Sequence, residues 1–345
     1  MGRAPELSAL RDARHEAEAG RGSWVNVVGE AGIGKTRLVG ELVGTGGRVV
    51  IGRCSVVDRA TTYRPLAEAL LAISTDVPVP VPNEIAPYAA ALARFVPAWR
   101  GPSSVASESP AVLGESVLRL LRWWGEPGAA VLVVEDLHWA DPETLAACEY
   151  VADHLAATRV VVVATWRPDE VPGIVSRMLR HHRSLDLAPL TSAEVEELAT
   201  GCLGQAPSAP TLERLTRTGN GLPLLVEDLL DSDAAAPARF AGLVAARLGQ
   251  LPSSSVPAVV AAALLGERFE LPLVVAARGG DKAGTAQAMR EAMAAGLLVA
   301  DGGAFRFRHA LTHDAVLAAA PAVRAEMTGP VAAALSASAS ASASP

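Results

Sequence analysis

Apolar and polar positions divide the chain into two regimes. Through about residue 190, short continuous apolar runs alternate with stretches of helical periodicity. WVNVVG at 24–29, RVVIG at 48–52, AAVLVVED at 129–136 and RVVVVATWR at 159–167 are rich in β-branched residues and apolar almost throughout. That is the form of strands buried on both faces of a parallel sheet. RSLDLAPL at 183–190 is a further strand candidate. Between these runs, residues 6–19, 35–44, 65–73 and 111–124 carry apolar positions three and four apart and predict helices. TDVPVPVPNEIAP crowds prolines into a short span and predicts an irregular connection, because proline lacks an amide donor and disfavours helix before it. Strands alternating with helices predict crossover units, and so one α/β domain over 1–190.

After residue 190 the pattern becomes helical. TSAEVEEL is a capping signature, with Thr191 or Ser192 at the N-cap and Glu194 and Glu196 in the first turn. FAGLVAARLGQL, VPAVVAAALLG and TAQAMREAMAAGLL predict helices, and LLVADGGAFRFRH predicts a β-hairpin around Asp301-Gly302-Gly303. Helices followed by a hairpin suggest a winged-helix unit. The expected organisation is a helical region over 191–235, a winged-helix domain over 236–322 and a disordered tail over 323–345. The tail expectation rests on SASASASASP, which lacks the apolar side chains a core needs.

Composition narrows the function classes. Half of the 345 residues are hydrophobic but only 4% are aromatic, which suits close-packed helices and buried strands. The net charge of −7 argues against a large nucleic-acid surface, which is normally basic. Cys54, Cys148 and Cys202 are widely separated and have no metal-ligand spacing, so they read as thiols in a reducing compartment. The N-terminus is charged from Arg3, unlike a signal peptide, and no apolar run reaches the roughly 18 residues of a membrane helix. A cytoplasmic protein without membrane contact is the expectation.

The candidate chemistry begins where the first strand ends. Gly29, four residues, then Gly34-Lys35-Thr36 form a complete phosphate-loop pattern between a strand and a helix. Glycines let the chain bend tightly, and the turn would aim the backbone amides of Gly32, Ile33, Gly34 and Lys35 inward. With the positive end of the next helix they would form an anion cradle. Lys35 would bridge the β- and γ-phosphates of ATP, and Thr36 would offer its hydroxyl to Mg2+. Only two of the thirty basic residues are lysines, Lys35 and Lys282. A compact ammonium on a slender stem can fold back over such a loop, whereas a planar guanidinium binds as a wide fork.

Such a site needs acids at the end of a neighbouring strand to hold the metal and orient water. VLVVEDLHWADP supplies Glu135 in the metal-side position and Asp136 to orient or deprotonate the attacking water. His138 reads as a loop-packing residue or a proton relay, and Asp141 follows close behind. Thr165 and Arg167 are expected just past the end of the next strand, where ligands of open α/β sheets sit, so Arg167 would sense the γ-phosphate or couple it to a neighbouring domain.

These motifs together resemble a known family: the signal-transduction ATPases with numerous domains, a branch of the AAA-type P-loop ATPases. More narrowly, the chain is similar to the ATPase core of large LuxR-type transcriptional regulators of actinobacteria and of related ATPase-cyclase fusions. The matching text runs over roughly residues 2–320 and includes GRAPELSAL, GEAGIGKTRL, GRCSVVDRATTYRPLAEAL, VLVVEDLHWADPETL, VVVATWRPDE, LAPLTSAEVEEL, RTGNGLPLLVEDLL, AARLGQLP and FRFRHALTHDAV. The resemblance implies an α/β P-loop NTPase domain, a parallel sheet flanked by helices, followed by a helical lid over 191–235 and the winged helix. It implies that Gly2 and Arg3 close over the base, that Arg37 belongs to the nucleotide site with the loop, that Pro223 packs on the adenine, and that His309 reads the β-phosphate of ADP. It implies a switch in which ADP locks the lid and winged helix against the P-loop domain and ATP plus a ligand releases them, with slow hydrolysis and ATP-dependent homo-oligomers or a protein partner.

The full-length regulators continue into helical repeats and a C-terminal helix-turn-helix, and this sequence stops soon after the winged helix. A truncated or free-standing switch without DNA output is therefore expected, and the alternative is a nucleotide-binding scaffold with negligible turnover. Arg290, Arg306 and Arg308 are offset by Glu291 and Asp301, which speaks against direct DNA binding. A small-molecule kinase would need an arginine-rich lid, which the sequence lacks.

Overall fold

The structure, a computed structural model, describes residues 2–44, 46–55, 61–77, 81–99, 109–126, 128–168, 182–231, 238–309 and 311–342. The chain forms two compact units, Arg3–Ala188 and Pro189–Pro345, the second also taking in Gly2.

Among the described residues, the first unit is built on five strands: β1 (Ser23–Val28), β2 (Arg48–Arg53), β3 (Ala130–Glu135), β4 (Val160–Trp166) and β5 (Arg183–Asp186). They pair in the order β2-β3-β4-β1-β5, and every pairing is parallel. Every residue of β3 and β4 is buried, as the continuous apolar runs require of inner strands covered on both faces. β5 at the edge is largely exposed. The described helices are α1 (Ala4–Glu18), α2 (Lys35–Gly44), α3 (Arg64–Ser74), the short α4 (Ala89–Leu92), α5 (Pro110–Gly125) and α6 (Pro142–Asp153). One core joins apolar residues of α3, α5 and α6, among them Leu70, Leu120 and Val151, to sheet residues such as Leu132, Val162 and Trp166. The proline-rich stretch contains a short 3-10 turn at Ala86–Tyr88, and residues 78–80 lie outside the described residues.

Because all five strands run the same way, their C-terminal ends share one edge of the sheet. The registers Val28↔Trp166, Val134↔Ala164 and Arg53↔Glu135 bring the ends of β1, β4, β3 and β2 level. β4 lies between β1 and β3, so the phosphate loop and the acid pair rise from strands about 10 Å apart. β4 extends through Trp166, so Thr165 stands inside the strand rather than past its end, and only Arg167 lies beyond it.

The second unit opens with helices Ser192–Leu203, Ala209–Gly219 and Pro223–Asp231. Thr191 caps the first in a reciprocal box with Glu194. The GNG turn between the next two has a steric cause. A Cβ on Gly221 would lie 2.5 Å from the Leu190 carbonyl, and its φ of +69° favours glycine. Helices Ala238–Gly249, Val256–Leu265, Leu271–Ala277 and Lys282–Ala294 precede β7 (Leu298–Asp301) and β8 (Ala304–Phe307). The hairpin turns on Gly302 and Gly303, both with positive φ, as predicted. A two-residue strand, β6 (Arg268–Phe269), completes an antiparallel sheet of order β6-β8-β7.

The expected disordered tail is corrected. Residues Pro321–Ser342 form one helix, with Met327, Val331 and Ala334 buried and the body packed on helices Val256–Leu265 and Leu271–Ala277. Alanine is the strongest helix former, and the spacing of those three residues puts them on one face. The alanine–serine repeat, low in complexity, extends this helix; residues 343–345 lie outside the described residues.

Candidate functional site

β1 delivers the chain into the glycine loop, and α2 starts at Lys35, as the spacing requires. Gly32 and Gly34 take φ of +80° and +100°, a region open to glycine and strained for residues with a Cβ. The Lys35 ammonium is buried and folds back over the loop, donating to the carbonyls of Gly29 at 2.8 Å and Glu30 at 2.9 Å. Ile33 sits in the turn between the two glycines. Its amide donates to the Glu30 carbonyl at 3.3 Å, and its side chain is buried against Gly29. This bond belongs to the turn of the loop; Gly32, Ile33, Gly34 and Lys35 are the candidate phosphate donors. Thr36 and Arg37, the next helical residues, are exposed.

Glu135 ends β3 and is buried. Its Oε2 accepts from Arg53 Nε at 2.9 Å, while Oε1 is buried with no hydrogen-bond partner. Asp136 leaves the strand in the left-handed region, with φ of 52° and ψ of 43°. This ends the ladder and starts the short turn Leu137–Trp139. Its amide donates to Thr165 Oγ1 on β4 at 2.8 Å, which ties the acid pair to the next strand. Aspartate tolerates this conformation better than most residues. His138 is buried beside the Trp139 ring, with centroids 4.8 Å apart, and its Nε2 lies 4.0 Å from Asp136 Oδ1. Asp141 is structural: it caps α6 through the Thr144 amide and accepts from the Tyr63 amide at 3.0 Å.

Arg167 lies over the Trp139 ring, its guanidinium carbon 4.4 Å from the centroid. Arg3 reaches the carbonyls of Ala188 at 2.5 Å and Ile33 at 3.5 Å, so it borders the phosphate loop. The segment after β5 also borders it, through the bond from the Leu187 amide to the Val28 carbonyl at 2.8 Å.

The remaining expected site residues belong to the second unit. The Gly2 amide donates to Glu197 at 3.2 Å. Pro223 is the first residue of its helix. His309 follows the hairpin and is buried, its ring 6.0 Å from that of Phe240 in an edge-on contact.

A buried carboxylate oxygen without a donor is costly, and a hard cation would offset that cost. Mg2+ takes oxygen ligands and is held by one or two carboxylates together with phosphates. The Glu135 carboxylate, the Asp136 carboxylate and the Thr36 hydroxyl are ligands of that kind. The donor set therefore fits the metal. No cluster of three or more histidine, cysteine or acidic side chains suited to a metal occurs among the described residues.

Residues 1–163 match the AAA ATPase domain family. The chain is also similar to a solved Walker-type ATPase, paby2304 of Pyrococcus abyssi. The TM-score is 0.57 at 16% identity, over 91% of this chain and 95% of that one. At that identity the likeness shows the fold alone, a parallel sheet with flanking helices. The match over 1–163 supports a P-loop ATPase domain that binds ATP in that part of the chain. Over 319 residues the chain is 26% identical to an uncharacterized protein of Rhizobium meliloti (strain 1021), covering 79% of this chain. It spans only 30% of that relative's length. A STAND protein with a tetratricopeptide repeat sensor from Pyrococcus horikoshii gives a TM-score of 0.42 at 17% identity, over 96% of this chain and 44% of that one, too low to bear on the fold. No described helix is long and apolar enough to cross a membrane.

Arg53 and Trp139 escaped sequence reasoning. Arg53 ends an ordinary-looking edge strand, and only the register of β2 on β3 puts it against Glu135. Trp139 follows the acid pair in the same short motif. Its contact with Arg167 depends on β4 lying beside β3.

Proposed function

We propose that the chain is a Mg2+-dependent ATPase that works as a nucleotide-controlled signalling switch. The observation that carries this reading is the placement of the Gly29–Thr36 loop, with its buried Lys35, at the same sheet edge as Glu135 and Asp136. Lys35 and the amides of Gly32, Ile33 and Gly34 would bind the phosphates. Thr36, Glu135 and Asp136 would hold Mg2+, which supplies charge neutralisation at the γ-phosphate when bound. Asp136 would orient the attacking water, and its backbone is already fixed by Thr165. Arg167, now over Trp139, would respond to the γ-phosphate, and Arg3 would flank the nucleotide beside the loop.

The regulatory part draws on the second unit. Its antiparallel three-stranded sheet with preceding helices supports a winged-helix reading of 236–322 after a lid over 191–235. Gly2, Pro223 and His309 would report the nucleotide to that unit. Arg268 on the sheet is neutralised by Asp301 at 2.8 Å, which favours a protein partner or a second copy of the chain over DNA. Transcriptional regulation would then proceed through such a partner.

Two measurements test the reading. A nucleotide switch retains ADP through purification, and its extracted nucleotide is ADP; a protein free of nucleotide that cannot be loaded with it contradicts the switch. Single-turnover phosphate release that disappears in Glu135→Gln or Asp136→Asn supports hydrolysis. Release equal to that of those variants leaves a binding scaffold.

A further inference from the structure

We propose that Arg53 competes with the divalent cation for the Glu135 carboxylate, so that metal entry requires the Arg53–Glu135 ion pair to open. The inference rests on the reading of the loop as an ATP·Mg2+ site. Parallel pairing sets Arg53 directly opposite Glu135 at the ends of β2 and β3. Its Nε donates to Glu135 Oε2 at 2.9 Å, and Nη1 donates to Glu68 Oε1 on α3 at 3.0 Å. The Arg53 amide also donates to Glu68 Oε2 at 3.0 Å. One guanidinium thus bridges a buried acid and a surface acid.

The two ends of this bridge differ in solvation. The Glu135 side chain is 7% exposed, and that of Arg53 is 56% exposed. A buried carboxylate left without countercharge is costly, and Arg53 supplies that countercharge to Glu135. The pairing is incomplete, because Oε1 has no partner. A divalent cation that reaches this carboxylate brings a second positive group to the same anion. Of the two, Arg53 is the one that can leave. Its head is already half in water, where an ion pair contributes little, and Glu68 holds it from the far side. Arg53 is therefore a positioning residue whose charge sets the metal affinity of Glu135, and its release passes a change to α3.

A structural brace would lower metal affinity when removed, because the ligand would lose its orientation. A competitor would raise it. The test measures Mn2+ affinity of the full chain loaded with a slowly hydrolysed ATP analogue, by electron paramagnetic resonance of free Mn2+. Arg53→Gln is expected to tighten Mn2+ binding about tenfold, or about 1.4 kcal/mol. Arg53→Lys should fall between that variant and the wild type, since it keeps the charge and loses the fork. Glu68→Gln should act in the opposite direction, weakening Mn2+ binding, because Arg53 then has only Glu135 to neutralise it. Unchanged or weaker Mn2+ binding in a folded Arg53→Gln protein overturns the proposal. Should that variant not fold, Arg53→Lys and Glu68→Gln decide: opposite shifts support competition, and affinities equal to wild type overturn it. Wild-type protein that binds the nucleotide no better than Lys35→Ala would overturn the ATP-site reading itself, and this inference with it. Normal wild-type loading confines any failure to Arg53.

Discussion

Replacing Lys35 by alanine is the sharpest perturbation of the loop. The ammonium is buried and makes charge-assisted bonds of 2.8 and 2.9 Å to the carbonyls of Gly29 and Glu30. Nucleotide binding would exchange those neutral acceptors for phosphate oxygens bearing formal charge. Both states satisfy the ammonium, so binding gains the difference between them. One hydrogen bond to a charged group contributes about 1.5–3 kcal/mol, and we assign the exchange that net value. The expected loss in ATP affinity is then about ten- to a hundredfold. Lys35→Arg should do no better, because a planar guanidinium cannot take the ammonium's place between two adjacent carbonyls. Isothermal titration with ATP and Mg2+ reads the effect directly. Lys282→Ala, at an exposed helix start in the second unit, is the control and should bind as wild type does. Equal affinities for wild type and a folded Lys35→Ala protein would refute the assignment of the loop.

Three further outcomes follow from particular contacts. A Cβ on Gly52 would lie 1.9 Å from the Pro65 carbonyl, so Gly52→Ala must push α3 from β2 and should cost about 3 kcal/mol or more; an unchanged melting temperature would contradict that packing. Thr165→Val leaves the Asp136 amide without its acceptor and should destabilise the chain by about 1–3 kcal/mol while slowing any phosphate release; a variant as stable and active as wild type would show that the bond is not needed. Burial pushes the Cys148 thiol up to about 12, and burial followed by the nearby Cys148 raises Cys54 as well. Thiolates are the reactive form, so near pH 8 a thiol reagent should modify only the exposed Cys202 in the folded protein and all three after denaturation; rapid labelling of all three in the native state would contradict the burial.

The first unit was largely legible because its signals are local. The runs at 24–29, 48–52, 129–136 and 159–167 became β1 to β4, and the helix expected at 35–44 became α2. Continuous apolar character marks an inner strand whatever its neighbours, and the glycine-lysine spacing fixes the loop. What sequence could not supply was lateral order. That β4 separates β1 from β3, and that β2 flanks β3 on the far side, follows from packing of distant segments. The roles of Arg53, Thr165 and Trp139 depend on that order, so they emerged only with the sheet. The tail failed for another reason. Low complexity suggests disorder, yet Met327, Val331 and Ala334 lie on one helical face, and alanine favours the helix that presents them.

The most direct test of the account is a crystal structure of the chain with Mg2+ and an ATP analogue. We predict that Lys35 Nζ leaves the Gly29 and Glu30 carbonyls for phosphate oxygens at about 3 Å, with Mg2+ between Thr36 and the carboxylates of Glu135 and Asp136. A nucleotide bound elsewhere, with Lys35 still on its two carbonyls and Glu135 still on Arg53, would contradict it.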